Sequence, residues 1–523
     1  MDRLPIRLSL WYLIQLLFLC NAYFFTARLG LSLDAVGGFA TLVWPPTAIA
    51  LAALYLYGYR LWPGIFLGAF LVNLWTGAPI LVALGIGIGN TLEAIIGIYL
   101  LHRFDDSPHL FENVRSVVKF IFLVAFIATL VSATIGVFSL WLGGIVPSLN
   151  IPITLSAWWV GDILSALIIF PLLIIVLSKN YTNTIKSNPW EAIGLLLITT
   201  IINVIIFWSP SGELREASLL YLVFLPLTWS AFRFGVFGTV ISIFLTSRIA
   251  IWSTVYEHGP FVQMSLSEGL TYLQLFMAVI AITFLVFSAV VSELKKAVAT
   301  RDTFMNIASH ELKTPITSLR LYTQVIEKQI NGREDIPILT SSLSKINRQI
   351  DKLMTLIEDL LNVSRIQLDK LELHQEAFDL QVLVQEVVSD IQVDSLHHTI
   401  VTKGTLSKNI FADRDRIGQV LINLLNNAIK YSPHADTVLI VLKDEKDKAR
   451  VIIQDFGIGI HPDHHQIIFN RFYRIISANN TEIPGLGIGL FISQEIIRRH
   501  GGQIEIKSEL GKGSEFSFCL ACT

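Results

Sequence analysis

Residues 309–319 read SHELKTPITSL. His310 is followed at once by a carboxylate, Glu311, and one helical turn later by Thr314 and Pro315. On a helix, His310 and Thr314 share a face, and Glu311 stands beside the histidine, off the apolar seam of Leu312 and Ile316. Pro315 removes an internal hydrogen bond there and can kink the helix. An imidazole projecting into water with a carboxylate and a hydroxyl at hand has the parts for proton or group transfer. A helical histidine by itself is more often a solvated surface residue, so its meaning depends on what else the chain supplies.

A second set lies in the C-terminal third. In DRIGQVLINLLNNAIKYS (415–432), Asn423, Asn427 and Lys430 recur at spacings of four and three and share one helical face, opposite Val420, Leu421 and Leu424. Amide oxygens are hard ligands suited to Mg²⁺, which takes few protein groups and keeps phosphate oxygens and waters. Lys430 at the end of that face can neutralise phosphate. DFGIGI (455–460) ends an apolar strand in Asp455, able to accept a hydrogen bond from an adenine amino group. Gly457 and Gly459 let backbone approach a ligand closely. FNRFYR (469–474) precedes GLGIGLFISQEIIRRHGG (485–502), where Gly485, Gly487 and Gly489 open a helix. A glycine turn at a helix N-terminus is a ready anion site. A lone G-x-G-x-G is weak evidence; the ordered series with GKGSEF (511–516) is specific.

These residues need elements to hold them. At 523 residues the chain is too long for one domain. A mean hydropathy of +0.60 and 53% hydrophobic content exclude an ordinary soluble enzyme. The apolar weight sits in residues 1–292 and the charge in 293–523, the profile of a membrane domain joined to a soluble one. A net charge of −2 gives no support for nucleic-acid binding. Cys20, Cys519 and Cys522 are too few for a disulfide framework, and the Cys519/Cys522 pair ends a strand without a helix start to activate a thiol. The first apolar run lacks a small-residue cleavage site, so no cleavable signal peptide is expected.

Apolar runs near 8–27, 36–58, 61–76, 80–101, 117–142, 157–177, 191–208, 218–232, 234–254 and 270–292 predict eight to ten spans, several of them broken by Pro or Gly. With the N-terminus cytoplasmic and ten spans, the inside loops hold Arg3, Arg7, Arg60, Arg103, Arg115, Lys119, Lys179, Lys186 and Arg233, and the outside loops only Arg28 and Arg215. That imbalance obeys the positive-inside rule and puts residue 293 onward in the cytoplasm. Within the spans, Asn73, Asn90, Glu93, Asp162 and Arg248 are costly and therefore informative. Three readings stand open: Glu93, Asp162 and Arg248 pair to hold helices together, or line a ligand- or ion-sensing pocket, or mark a transport path.

From about 293 the pattern becomes charged, periodic helix. Leu312, Ile316, Leu319, Ile326 and Ile330 form one apolar series, and NGREDIP supplies a turn. Leu343, Ile346, Ile350, Leu353, Ile357 and Leu360 form a second, unbroken series. Such a hairpin has too little core to stand alone, and dimerising into a four-helix bundle would bury both seams.

VWPPTAIALAALYLYGYRLWPGIFLGAFLVNL (43–74), GNTLEAIIGIYLL (89–101) and WWVGDILSALIIFPLL (158–173) resemble the bacterial membrane-associated sensor domain of the first class, over most of 1–290. The nucleotide motifs are similar to the N, first glycine, F and second glycine boxes of sensor histidine kinases, and SHELKTPITSL to their phosphoacceptor box, over 300–523. The resemblance implies a polytopic all-α membrane domain (1–292), a helical hairpin dimerising into a four-helix bundle (293–370), and an α/β sandwich of the gyrase, Hsp90, histidine-kinase and MutL ATPase type (371–523). It implies ATP and Mg²⁺ as cofactors: Asp455 reads adenine, Asn423 and Asn427 hold Mg²⁺ and phosphate, Lys430 contacts phosphate, and Tyr431 lies near the adenosine. Residues from about 470 to 485 become a mobile lid, with Arg474 as a phosphate contact. Departures are mild: Asn470 stands where Glu is common and Ser514 where Thr is common.

By the same likeness His310 is the nucleophile, Glu311 takes the proton of the other ring nitrogen, and Thr314 orients water for hydrolysis of a phosphorylated partner. The implied partners are a second copy of the chain, the membrane lipid, an undefined stimulus and, since no receiver-like domain is found, a separate response regulator. The implied location is the bacterial inner membrane. No HAMP- or PAS-type linker is found, so the last span is expected to run almost directly into the phosphoacceptor helix. A transporter-like membrane protein with a kinase-like regulatory tail is the alternative, and a nucleotide-binding scaffold without catalysis a third.

Overall fold

The computed structural model describes residues 10–32, 42–105, 107, 110–178, 189–208, 219–262, 266–332, 336–367, 371–395, 397–433, 435–475 and 486–522. Two compact units divide at Ala299/Thr300. Long apolar runs make the first unit helical, because in lipid each backbone group must be satisfied within its own helix. Its helices are α1 (Leu10–Ser32), α2 (Pro45–Tyr57), α3 (Trp62–Trp75), α4 (Ile80–Phe104), α5 (Val114–Leu142), α6 (Ser148–Leu177), α7 (Pro189–Phe207) and α8 (Phe224–Val255). The next helix, α9 (Leu266–Gly332), starts here and continues past the division.

Seven helices among the described residues are long and apolar enough to cross a membrane, fewer than the eight to ten expected from the sequence. The difference has local causes. Gly and Pro at 58 and 63 leave α2 and α3 only 13 and 14 residues long. The runs at 218–232 and 234–254 appear as one helix interrupted at Gly235, whose φ of 61° and ψ of −147° are non-helical. Residues 36–41 and 218, and the loop cations Arg3, Arg7, Lys179, Lys186 and Arg215, lie outside the described residues.

Small residues let the helices meet closely. A Cβ on Gly68 would stand 2.8 Å from that of Tyr23, and one on Gly136 would stand 2.7 Å from the Trp158 ring. Two π-helical stretches, Ile121–Ala128 and Ser165–Ile169, widen α5 and α6. The Trp159 indole donates to the Phe126 carbonyl within the first of them, at 3.0 Å. Arg248 does not join Glu93 and Asp162. It is exposed and lies over the Trp252 ring at 5.7 Å, one turn along its own helix, so the three-way pairing is ruled out.

The second unit opens with the remainder of α9 and with α10 (Ile336–Gln367), the two heptad-patterned helices. In the single chain Ile316, Leu343, Ile350 and Ile357 of the two seams are exposed. The C-terminal part is an α/β sandwich. Strands β1 (Glu376–Phe378) and β3 (Ile410–Ala412) pair with each other. β2 (Thr399–Lys403), β4 (Thr437–Glu445), β5 (Lys448–Gln454), β6 (Ile504–Glu509) and β7 (Gly513–Ala521) form a five-stranded sheet in the order β2-β4-β5-β7-β6. Only β2 and β4 run parallel.

Helices α11 (Leu380–Asp394), α12 (Arg414–Lys430) and α13 (Gly489–Arg499) complete it. The apolar face of α12, Ile417, Val420, Leu421, Leu424 and Leu425, shares one core with Val438, Ile440, Val451, Ile453 and Phe518 of the sheet. Asp413 starts α12, accepting from the Arg416 N–H at 3.1 Å and from the His374 N–H at 2.9 Å. Such a cap contributes about 1 kcal/mol, and the core on one side leaves the polar face of α12 free for chemistry.

Candidate active site

That polar face lies between two glycine turns. At the C-terminal end of α12 the turn after β5 packs on the helix cap: the Ile458 N–H donates to the Tyr431 carbonyl at 3.1 Å. A Cβ on Gly457 would stand 2.0 Å from the same oxygen, so only glycine fits. Asp455 is 5% exposed and accepts from the Gly457 N–H at 2.9 Å. Burial pushes its carboxyl upward, while backbone donors at Gly457 and Ser514 act in the opposite sense. Gly459 has φ +66° and packs on the Glu509 carbonyl.

Further back on α12, the Asn423 Nδ2 donates to the Ser493 Oγ at 2.8 Å. This fixes the amide with Oδ1 toward the start of α13, where a Cβ on Gly489 would meet it at 2.2 Å. Asn427 is half-buried one turn on. Gly487 has φ +66° and accepts at its carbonyl from the Phe472 N–H at 3.0 Å, which ties the F-box segment to the second glycine turn. Tyr473 and His464 bond through the phenol oxygen and Nδ1 at 2.7 Å, and Arg471 lies 5.4 Å over the Phe491 ring.

Lys430 lies 5.4 Å over the Tyr431 ring. Burial lowers its pKa, the neighbouring Arg474 lowers it further, and Glu311 works in the opposite sense. Burial raises the Tyr431 phenol, against the pull of Arg474. Two neighbouring cations, Lys430 and Arg474, beside a glycine turn are suited to a polyphosphate, whose charge would favour the protonated lysine. A buried carboxylate at the other end suits an exocyclic amine. The missing Cβ at Gly489 makes room for the Asn423 amide, whose oxygen is a hard donor suited to a cation carried in with phosphate.

Sequence-predicted residues from Asn423 to Gly489 thus meet around one helix face. Glu311 is half-buried and within electrostatic reach of Lys430, and Thr314 is exposed. The backbone of His310 belongs to α9, while its side chain, Gly485 and the lid stretch 476–485 lie outside the described residues. Two contributors went unread in the sequence. Ser493, 1% exposed, holds Asn423, and the one signal for it is a polar residue inside the apolar series Ile492, Ile496, Ile497. The His464 partner of Tyr473 carries no motif at all.

A membrane unit followed by a phosphoacceptor hairpin and an ATPase sandwich is the build of a bacterial sensor histidine kinase. The MASE1 family model matches residues 15–295, more than half of the chain. The His Kinase A (phospho-acceptor) domain matches 300–369, and the histidine kinase-, DNA gyrase B- and HSP90-like ATPase matches 412–523. The chain belongs to the MASE1 family. Among curated proteins, the sensor protein SrrB of Staphylococcus aureus (strain N315) is 36% identical over 219 residues, covering 41% of this chain and 37% of SrrB. The match therefore spans well under half the length of that relative. Among solved structures, the Acinetobacter baumannii histidine kinase AdeS is 29% identical, with a TM-score of 0.31, over 41% of this chain and 98% of that one.

Proposed function

We propose that the protein is a multi-pass inner-membrane histidine kinase, with its N-terminus and kinase region cytoplasmic, that phosphorylates His310 from ATP. The observation that carries this reading is the convergence of Asp455, Tyr431, Asn423, Lys430 and Gly487 on one face of α12. In this reading Asp455 accepts from the adenine amino group, Tyr431 lies along the adenosine, and Lys430 and Arg474 bind phosphate. Gly457, Gly459, Gly485, Gly487 and Gly489 give the backbone close approach. Asn423 and Asn427 would hold Mg²⁺, which supplies charge neutralisation on the phosphate oxygens when bound.

A neutral His310 nitrogen attacks the γ-phosphorus; the N–P bond forms as the bond to the bridging oxygen breaks, and ADP leaves. Glu311 accepts the proton of the other ring nitrogen, which keeps the attacking lone pair available. The phosphoryl group then passes to an aspartate of a separate response regulator, and Thr314 orients the water that later hydrolyses that aspartyl phosphate to aspartate and inorganic phosphate. The exposed seam residues Ile316, Leu343, Ile350 and Ile357 support a homodimer that closes a four-helix bundle.

The test is incubation of full-length protein in membranes with γ-labelled ATP and Mg²⁺. Alkali-stable, acid-labile label in the wild type, absent from His310→Gln and Asn423→Ala, is the expected result. Label that persists in His310→Gln sinks the assignment, and substrate flux in proteoliposomes with no label would favour a transporter instead.

A further inference from the structure

The membrane unit holds a second polar constellation that phosphotransfer does not use. Glu93 from α4 is 1% exposed and Asp162 from α6 is 0% exposed, and the two carboxyl groups are neighbours. The Thr47 hydroxyl donates to Asp162 Oδ1 at 2.8 Å. Asn90 donates through Nδ2 to the Tyr23 hydroxyl at 2.7 Å and accepts from the Ser132 hydroxyl at 2.8 Å. Five helices, α1, α2, α4, α5 and α6, thus turn polar groups toward one place.

The constellation is incomplete. Glu93 Oε1 and Asp162 Oδ2 are buried and accept no hydrogen bond, and the buried Trp44 indole N–H donates none. The ion pairs of this unit among the described residues lie elsewhere, at Lys119–Asp105, Arg233–Glu191 and Lys296–Glu112. Arg28 and Arg248 lie over Trp75 and Trp252. Buried carboxylates without a positive partner are costly, and intramembrane ones more so.

The backbone is also irregular at this spot. Helix α2 spans 13 residues, about 20 Å against a hydrocarbon layer of about 30 Å, so it does not cross alone. Its start is tied to α6 instead: the Trp44 N–H donates to the Gly161 carbonyl and the Ala48 N–H to the Ser165 hydroxyl, both at 3.2 Å. Ser165 opens the π-helical stretch. Broken helices at membrane depth are tolerated where they line a site.

We propose that this constellation binds a small cation bringing one oxygen acceptor: a hydrated alkali metal ion or a protonated amino alcohol. The unmet groups define that chemistry. Two carboxylate oxygens take the positive charge, and the water or hydroxyl oxygen of the ligand accepts from the Trp44 indole. Occupancy of the site stands apart from the kinase reading; only its role as the stimulus rests on that reading.

The test follows tryptophan fluorescence of full-length protein in nanodiscs during titration with sodium chloride, potassium chloride or ethanolamine hydrochloride. Tetrabutylammonium chloride serves as the ionic-strength control. A saturable change with at least one of the three, absent from the control and weakened about tenfold or more in Glu93→Gln and Asp162→Asn, is expected. Response to an alkali salt alone identifies a metal ion, and response to ethanolamine alone identifies the amine. Because a variant can fail to fold, thermal unfolding of the wild type is read with the same salts, and the responding salt should raise its midpoint over the control. A change shared by tetrabutylammonium, a change that survives intact in both folded variants, or no shift of fluorescence and midpoint in any arm overturns the proposal. Fluorescence loss in Glu93→Gln with His310 labelling intact, or the converse, separates the two sites.

Discussion

Asp455 in the ATPase sandwich and the Glu93–Asp162 pair in the membrane unit are all buried carboxyl groups, and they are completed in different ways. Asp455 has its backbone donor two residues away, at Gly457, so the chain supplies the partner locally. Glu93 and Asp162 are 69 positions apart in sequence, on different helices, and each keeps an oxygen with no donor. A burial cost met by a neighbouring turn leaves a motif in the sequence. A cost met by packing, or by a ligand, leaves only scattered polar letters in apolar runs.

The largest effect expected from this contrast is at Gly457. Gly457→Ala puts a Cβ 2.0 Å from the Tyr431 carbonyl, whereas Gly194 in α7 has nothing within 4 Å of the same position. Gly457→Ala should remove nucleotide binding, measured with a fluorescent ATP analogue, while Gly194→Ala leaves both binding and the melting midpoint nearly unchanged. Comparable losses in both would mean that the close approach at α12 is not what makes the turn.

Asp455→Asn exchanges an acceptor for a mixed amide at a buried site, which typically costs about 1–3 kcal/mol, or roughly ten- to a hundredfold in ATP affinity. Acidification should do the same reversibly. Since burial raises the Asp455 carboxyl from 3.8, affinity should start to fall above that pH as it drops. The sign for stability is opposite: the folded state holds this proton more tightly than the unfolded chain, so the shift favours the empty fold at low pH. At the alkaline end the depressed Lys430 should make affinity decline below its ordinary 10.5. Isothermal titration across pH reads both limbs, and a flat profile would remove both residues from the site.

Ser493→Ala deletes one hydrogen bond to Asn423, worth about 1 kcal/mol, and should lower ATP affinity several-fold without lowering the melting midpoint much. The smallest effect is expected at Arg248. Its contact with the Trp252 ring is exposed, so Arg248→Ala should cost under about 1 kcal/mol in thermal unfolding of the full chain. A large loss there would restore a role for Arg248 beside the buried carboxylates.

Much of the candidate site is legible in the sequence. The Asn423–Asn427–Lys430 stripe, the D-x-G-x-G turn and the glycines before α13 are local patterns, because helical periodicity and φ > 0 turns constrain residues only a few positions apart. The sandwich followed from the resemblance of those motifs to the nucleotide boxes of sensor histidine kinases, since short apolar runs do not fix a strand order. Ser493 was not, since one serine in an apolar series looks like a tolerated substitution until Asn423 is seen opposite it. Seven helices of spanning length stand among the described residues against the eight to ten expected, because apolar runs do not reveal that Pro and Gly leave α2 and α3 short or that Gly235 interrupts α8.

The amino-acid order by itself determined the division into an apolar and a charged half, the two heptad seams, and the identity and order of the nucleotide motifs. Tertiary structure alone decided which polar residues of the apolar half meet. It joined Glu93 to Asp162 and Thr47 and sent Arg248 to an outer face beside Trp252. The reason is physical: nearly every position in a membrane helix is apolar, so hydrophobic pattern carries little information about facing. Close helix contacts at glycines such as Gly68 and Gly136 choose the partners instead.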